Sequence, residues 1–179
     1  MQLKNFIIRE DIMRMEFLAE EVKINVKFLK DFPDLALLTS KLRHIKKNTI
    51  KKIDVWIALS LKYLRFIKIL KPRWLETDWL KKKIRKEKEA ENLQKIPYNY
   101  IELTFIFYKK AKEIFDHPDE IINLVEILFQ IRLSKIWKGL KNIEKNVKLI
   151  KLHNVASIEL YSLKNIISFL FHIFSCFVL

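Results

Sequence analysis

Glycine is almost missing from this chain: Gly139 is the one example in 179 residues, where ordinary usage supplies about a dozen. Without glycine there is no phosphate-cradling loop and no dinucleotide-binding turn, since both need backbone free of Cβ at fixed spacings. Proline is sparse as well, at Pro33, Pro72, Pro97 and Pro118. Few breakers mean few tight turns, which favours long helices over a many-stranded sheet. The lone cysteine, Cys176, excludes an intrachain disulfide and suits a reducing compartment. It lies in an apolar run, where a thiol stays unactivated. Four histidines, His44, His117, His153 and His172, stand far apart, and none has a Cys, Asp or Glu at metal-ligand spacing. Asp116, Asp119 and Glu120 around His117 fit the positive end of a helix better than a metal site. No serine occupies a nucleophile elbow. These absences argue against an enzyme and give no catalytic, cofactor or metal site.

What the chain does have is apolar bulk and positive charge. Half of its residues are hydrophobic, enough for a real core, and 35 Lys and Arg against 21 Asp and Glu give a formal charge of +14. Such a balance suits acidic partners, nucleic acid included, although the basic residues fall in separate clusters at 41–52, 62–73 and 81–88 rather than in one stripe. No apolar N-terminal stretch with a cleavage site marks a secretory signal. From Asn165 to Leu179 no residue carries a formal charge. A membrane span needs about 20 apolar residues, and this run is shorter and interrupted by Ser168, His172 and Ser175, so a buried terminal helix is expected.

Periodicity predicts the elements. A short helix over IMRMEFLAEE leads into Val22–Phe28, where Val22, Ile24, Val26 and Phe28 alternate with Lys23, Asn25 and Lys27 as in a half-buried strand. Further strands are expected near Leu35–Leu38 and Thr49–Ile53. After Asp54, a suitable N-cap, the pattern turns helical through VWIALSLKYLRFIKI until Pro72. A helix over about 74–92 follows, its charged later part expected to project into solvent. Another opens at Pro97, with Asn99 and Glu102 resembling a capping box and Tyr100, Leu103, Phe107, Ala111 and Ile114 as its apolar stripe. The longest helix starts at Pro118 and runs towards Val147. Asn154 is expected to cap a last helix carrying the uncharged tail. The fold class is mainly α (α+β): a small β-containing domain over 1–53 and a helical bundle domain over 54–179.

Several of these segments follow, in order, one known pattern: Glu16–Glu20 (EFLAE), Val55–Lys62 (VWIALSLK), Pro72–Leu75 (PRWL), Pro97–Thr104 (PYNYIELT), Asp119–Ile121, Arg132 with Ser134–Ile136, and Asn154 with Ile158 and Glu159. The chain thereby resembles the subunits of the GINS complex, in particular the branch called the second partner of Sld five, over about residues 16–165. The resemblance implies a non-catalytic scaffold in a heterotetramer with three other GINS subunits, acting in DNA replication in the nucleus. There the tetramer joins the MCM ring and a RecJ-like partner to form the active replicative helicase. It further implies that any DNA contact is indirect, that no membrane is involved, and that functional residues act by packing. Interface or core candidates are Phe17, Leu18, Trp56, Trp74, Glu102, Leu103, Phe107, Leu128, Arg132 and Ile136, with Trp56 and Trp74 placed in the core. Arg132 and Glu102, charged positions in apolar helices, are expected to make charge-assisted bonds to neighbouring helices or chains. The competing reading is a basic helical nucleic-acid-binding protein.

Overall fold

The computed structural model describes residues 9–36, 41–42, 44–141 and 153–163; the expected uncharged tail helix and the end of the long helix beyond 141 lie outside them. The chain opens with helix α1 (Arg9–Glu20) and strand β1 (Lys23–Phe28). In β1 the expected alternation appears directly: Ile24, Val26 and Phe28 are buried while Lys23 and Asn25 face solvent. Two short strands, β2 (Leu35–Ala36) and β3 (Lys41–Leu42), pair antiparallel, and β4 (Ile50–Asp54) returns along β1.

Helix α2 (Val55–Tyr63) follows without a break and stops earlier than its apolar periodicity suggests. The Phe66 amide donates to the Leu61 carbonyl (3.0 Å) and the Arg65 amide to that of Lys62 (2.9 Å). These are the two bonds of a Schellman stop, here with arginine at the left-handed position (φ 57°) normally given to glycine. The chain then forms β5 (Ile67–Ile69), antiparallel to β1 on the side opposite β4. The helix expected to continue to Pro72 is thus corrected to helix, turn and strand: Ile67 and Ile69 alternate with Lys68 and bury against the sheet, which outweighs helical continuation. Asn48 and Asn154 take the other left-handed positions (φ 65° and 58°), so residues other than glycine occupy each such site among the described residues.

The remainder is helical. A 3-10 turn (Arg73–Leu75) leads into α3 (Thr77–Glu89), then come α4 (Tyr100–Lys110), a second 3-10 turn (Lys112–Ile114) and α5 (Pro118–Lys141). Residues 157–163 form a further helical stretch. In α4 seven residues from Tyr100 to Phe107 are buried and only Phe105 among them is exposed. A helix apolar on nearly all sides must be covered on nearly all sides, and α4 is the enclosed centre of the bundle. The buried cluster is continuous, from Val26 and Phe28 on the sheet through Ala58 on α2 to Phe107 and Leu128 in the bundle. Sheet and bundle therefore share one core. Two ion pairs, Lys109 to Glu16 (2.8 Å) and Lys110 to Glu20 (2.6 Å), tie α4 to α1.

Candidate functional site

Along α5, with Phe129 buried beside them, the buried positions Ile121, Val125, Leu128, Arg132 and Ile136 form one line. Their spacings of four, three, four and four define the inward stripe of a helix, and Arg132 occupies one of its places. On α3 the buried stripe is Leu80, Ile84 and Glu87. Helical geometry thus carries a cation and a carboxylate into the core from two neighbouring helices. A second carboxylate, Glu159, arrives from the helical stretch over 157–163. All three side chains are fully buried.

Every N–H of the Arg132 guanidinium is used. Nε donates to Glu159 Oε1 (2.7 Å) and Nη2 to Glu159 Oε2 (2.9 Å), a two-point fork. Nη1 donates to Glu87 Oε2 (3.3 Å) and the Gln94 carbonyl (2.9 Å), and Nη2 also donates to the Asn154 carbonyl (2.5 Å). Burial pulls the guanidinium pKa down, but the Glu159 hydrogen bonds and the charges of Glu159 and Glu87 raise it on balance. Glu87 further accepts from the Gln94 amide (3.2 Å) and Lys135 Nζ (3.4 Å). Two cations thus face two carboxylates, which offsets the large cost of burying any one of them. Glu159 also accepts from the Ala156 amide (2.9 Å), the reach-back half of a capping box, and from the Tyr100 hydroxyl (3.2 Å). Burial raises the Tyr100 pKa, so its phenol stays protonated and donates.

The cluster fastens irregular backbone to the bundle. The connection between α3 and α4 is held through the Ala90 carbonyl to Lys135 (2.5 Å), the Leu93 carbonyl to Asn154 Nδ2 (3.1 Å) and Gln94. The segment before the last helix is held through Asn154, Ala156 and the bond from the Ser157 amide to the Tyr98 carbonyl (3.0 Å). Carbonyls in such stretches lack helical or sheet partners and need others, and the side chains of the cluster supply several of them.

The expected roles divide. Arg132 makes the predicted charge-assisted bonds to neighbouring helices. Glu102 is buried, yet its two oxygens have no hydrogen bond of ordinary geometry among the described residues, although the Ser157 side chain and the Ile158 amide stand near it. Burial pushes its pKa up to about 7. Asn99 and Asp54 take N-cap positions without side-chain cap bonds, so the Asn99–Glu102 capping box is not formed. Asn154 precedes the last helix and bridges to Leu93 instead of capping. Charged residues late in α3 were expected in solvent; Glu87 is instead in the core, because it shares the face of Leu80 and Ile84. Leu103, Phe107, Leu128 and Ile136 are buried, Trp74 is half-buried against the core, and Trp56 is 39% exposed. Phe17 and Leu18 stand outward on α1, at 66% and 50% exposure, with Met13 beside them. Sequence reasoning missed Glu87 as a member of the cluster. The available signal was its i, i+4, i+7 spacing from Leu80 and Ile84.

Among the described residues no group of three or more His, Cys, Asp or Glu is placed to hold a metal, and no helix is long and apolar enough to cross a membrane. Fold and site together define an α-helical bundle protein, carrying a small antiparallel sheet and cross-braced internally by a buried arginine. Residues 74–168, more than half of the chain, match the helical bundle domain of GINS complex proteins, the Sld5 family, and the chain belongs to that family. Among its relatives is the DNA replication complex GINS protein PSF2 of Debaryomyces hansenii, 29% identical over 164 residues, which cover 90% of this chain and 77% of that protein. The protein of that name from Saccharomyces cerevisiae is 34% identical over 119 residues, 65% of this chain but only 55% of the yeast protein. The human one is 25% identical over 127 residues, 70% and 69% of the two chains.

Proposed function

We propose that this chain is a non-catalytic scaffold subunit of a GINS assembly, occupying the place that PSF2 holds among its relatives. The observation that carries this is the exposed apolar surface of a GINS-family bundle. Met13, Phe17 and Leu18 on α1, Phe105 on α4 and Ile127 on α5 stand open. Contiguous exposed apolar surface marks association sites; Met13 and Phe17 lie one turn apart on α1 with Leu18 next in the chain, and obligate partners bury about 2,000 Å² or more. The partners are the three other GINS subunits. Through them the chain contributes to the joining of GINS to the MCM ring and a RecJ-like partner in the nucleus during DNA replication. Phe17 and Leu18 are its interface residues; Leu103, Phe107, Leu128, Arg132 and Ile136 act by holding the bundle in shape.

In this reading a small β-containing domain over 1–53 precedes a helical domain over 54–179; β5 pairs back onto β1, and the family match covers residues 74–168. Co-expression with the three other subunits from the same organism tests the reading. A soluble equimolar tetramer is expected, with the chain alone poorly soluble. A well-behaved monomer that ignores those subunits would overturn it.

A further inference from the structure

The sheet buries one face against the core and leaves the other open. Register fixes what that open face carries. Lys23, Asn25 and Lys27 project from β1, Ile50, Lys52 and Asp54 from β4, and Lys68 from β5. Lys27 lies directly opposite Lys68, and Lys52 lies opposite Asn25, diagonal to Lys27. Like charges placed directly across a sheet repel. The single acid among these strand residues, Asp54, is at one corner opposite Lys23. None of the four lysines has an ion-pair partner among the described residues, whereas Lys62, Lys71, Lys81, Lys109, Lys110 and Lys135 each have one. With strands about 4.8 Å apart and a rise of about 3.4 Å per residue, the lysines cover a flat area about 14 Å long.

We propose that this face binds the phosphodiester backbone of double-stranded DNA directly, a contact separate from the chain's packing role. The composition of the face selects the ligand. Protein interfaces are depleted in lysine and built around aromatic or apolar anchors, while this face holds four lysines, no aromatic residue and one aliphatic, Ile50. Single strands are held by aromatic stacking platforms, which are absent from these strands. Duplex DNA presents about one negative charge per 1.7 Å of axis. Lysine engages such charges as a mobile point cation, so the contact is independent of base sequence.

The test uses the full chain in the co-expressed assembly, whose failure to form would be seen before any DNA is added. Two variants are compared by fluorescence anisotropy with a labelled 30-base-pair duplex across a salt series. One carries Lys23→Gln, Lys27→Gln, Lys52→Gln and Lys68→Gln. The other makes the same charge change on the solvent side of α3, at Lys82, Arg85, Lys86 and Lys88. The sheet variant is expected to lose at least tenfold in affinity at low salt, its log–log salt slope shrinking by about 3 to 4 at roughly 0.9 per phosphate contact. The α3 variant is expected to lose less than threefold. Removing the Lys27–Lys68 repulsion should leave the melting temperature unchanged or raised, which separates lost binding from lost folding. Equal losses in both variants, or an unchanged slope in the sheet variant, would overturn the proposal. So would a loss confined to oligothymidine or to polyglutamate, the latter making the face a dock for acidic protein.

Discussion

Replacing Arg132 by methionine keeps an unbranched apolar stem and removes the charged guanidinium. Five hydrogen bonds disappear with it, leaving Glu159, among the described residues, with the Ala156 amide and Tyr100 hydroxyl, Glu87 with Lys135 and the Gln94 amide, and two part-buried carbonyls without this donor. Removing one partner of a buried pair costs about 3–5 kcal/mol, because the surviving charge stays desolvated. In a chain of this size each kcal/mol moves the melting temperature by about 2–4 °C, so the expected fall is about 6–20 °C. Tryptophan emission during thermal unfolding of the co-expressed assembly reads it directly. The triple variant Arg132→Met, Glu87→Leu, Glu159→Leu removes the stranded carboxylates together with the cation. It is expected to recover most of the loss, since apolar replacement of a whole buried charge group is often neutral or stabilising. A single variant melting within 2 °C of the parent would refute the bracing role. A triple variant as unstable as the single one would show that stranded charge was not the cause.

Glu102 predicts a pH effect of definite sign. Its carboxyl ionises near 7 when folded and near 4.5 when unfolded, so between those values the folded chain binds the extra proton and stability falls as pH rises. Glu102→Gln should therefore match the parent near pH 5 and exceed it by about 2–3 kcal/mol at pH 8; denaturant midpoints at the two pH values decide, and a variant weaker than the parent at pH 8 would mean that the ionised group has a real partner. Two phenylalanines on α4 offer a paired comparison. Phe107→Ala empties a fully buried site and should cost about 3–5 kcal/mol, whereas Phe105→Ala, at an exposed site, should change melting by less than about 2 °C yet weaken recovery of the co-expressed subunits.

Much of this architecture is legible one segment at a time. The alternation of Ile24, Val26 and Phe28 with lysine and asparagine marks β1, and the stripe from Tyr100 to Phe107 marks α4, because side-chain direction follows backbone period wherever one face is buried. Pro118 with Asp119 and Glu120 marks the start of α5 for an equally local reason, the demands of a helix N-terminus. The end of α2 was not legible. Apolar residues continue past Tyr63 with no glycine or proline to stop them, and only the free edge of β1 makes a strand at 67–69 the better state.

The buried cluster shows the same division. Sequence alone set the composition that withholds glycine, proline and paired cysteines. It also placed Arg132 and Glu87 on the inward stripes of their helices, since 3.6-residue periodicity needs nothing beyond the chain itself. Which carboxylates meet the guanidinium depends on how α3, α5 and the stretch over 157–163 approach one another. Glu87 and Glu159 are separated from Arg132 by 45 and 27 residues, distances over which no local rule acts. That choice belongs to tertiary packing, where the cost of leaving a charge buried and unpaired forces opposite charges from distant segments into contact.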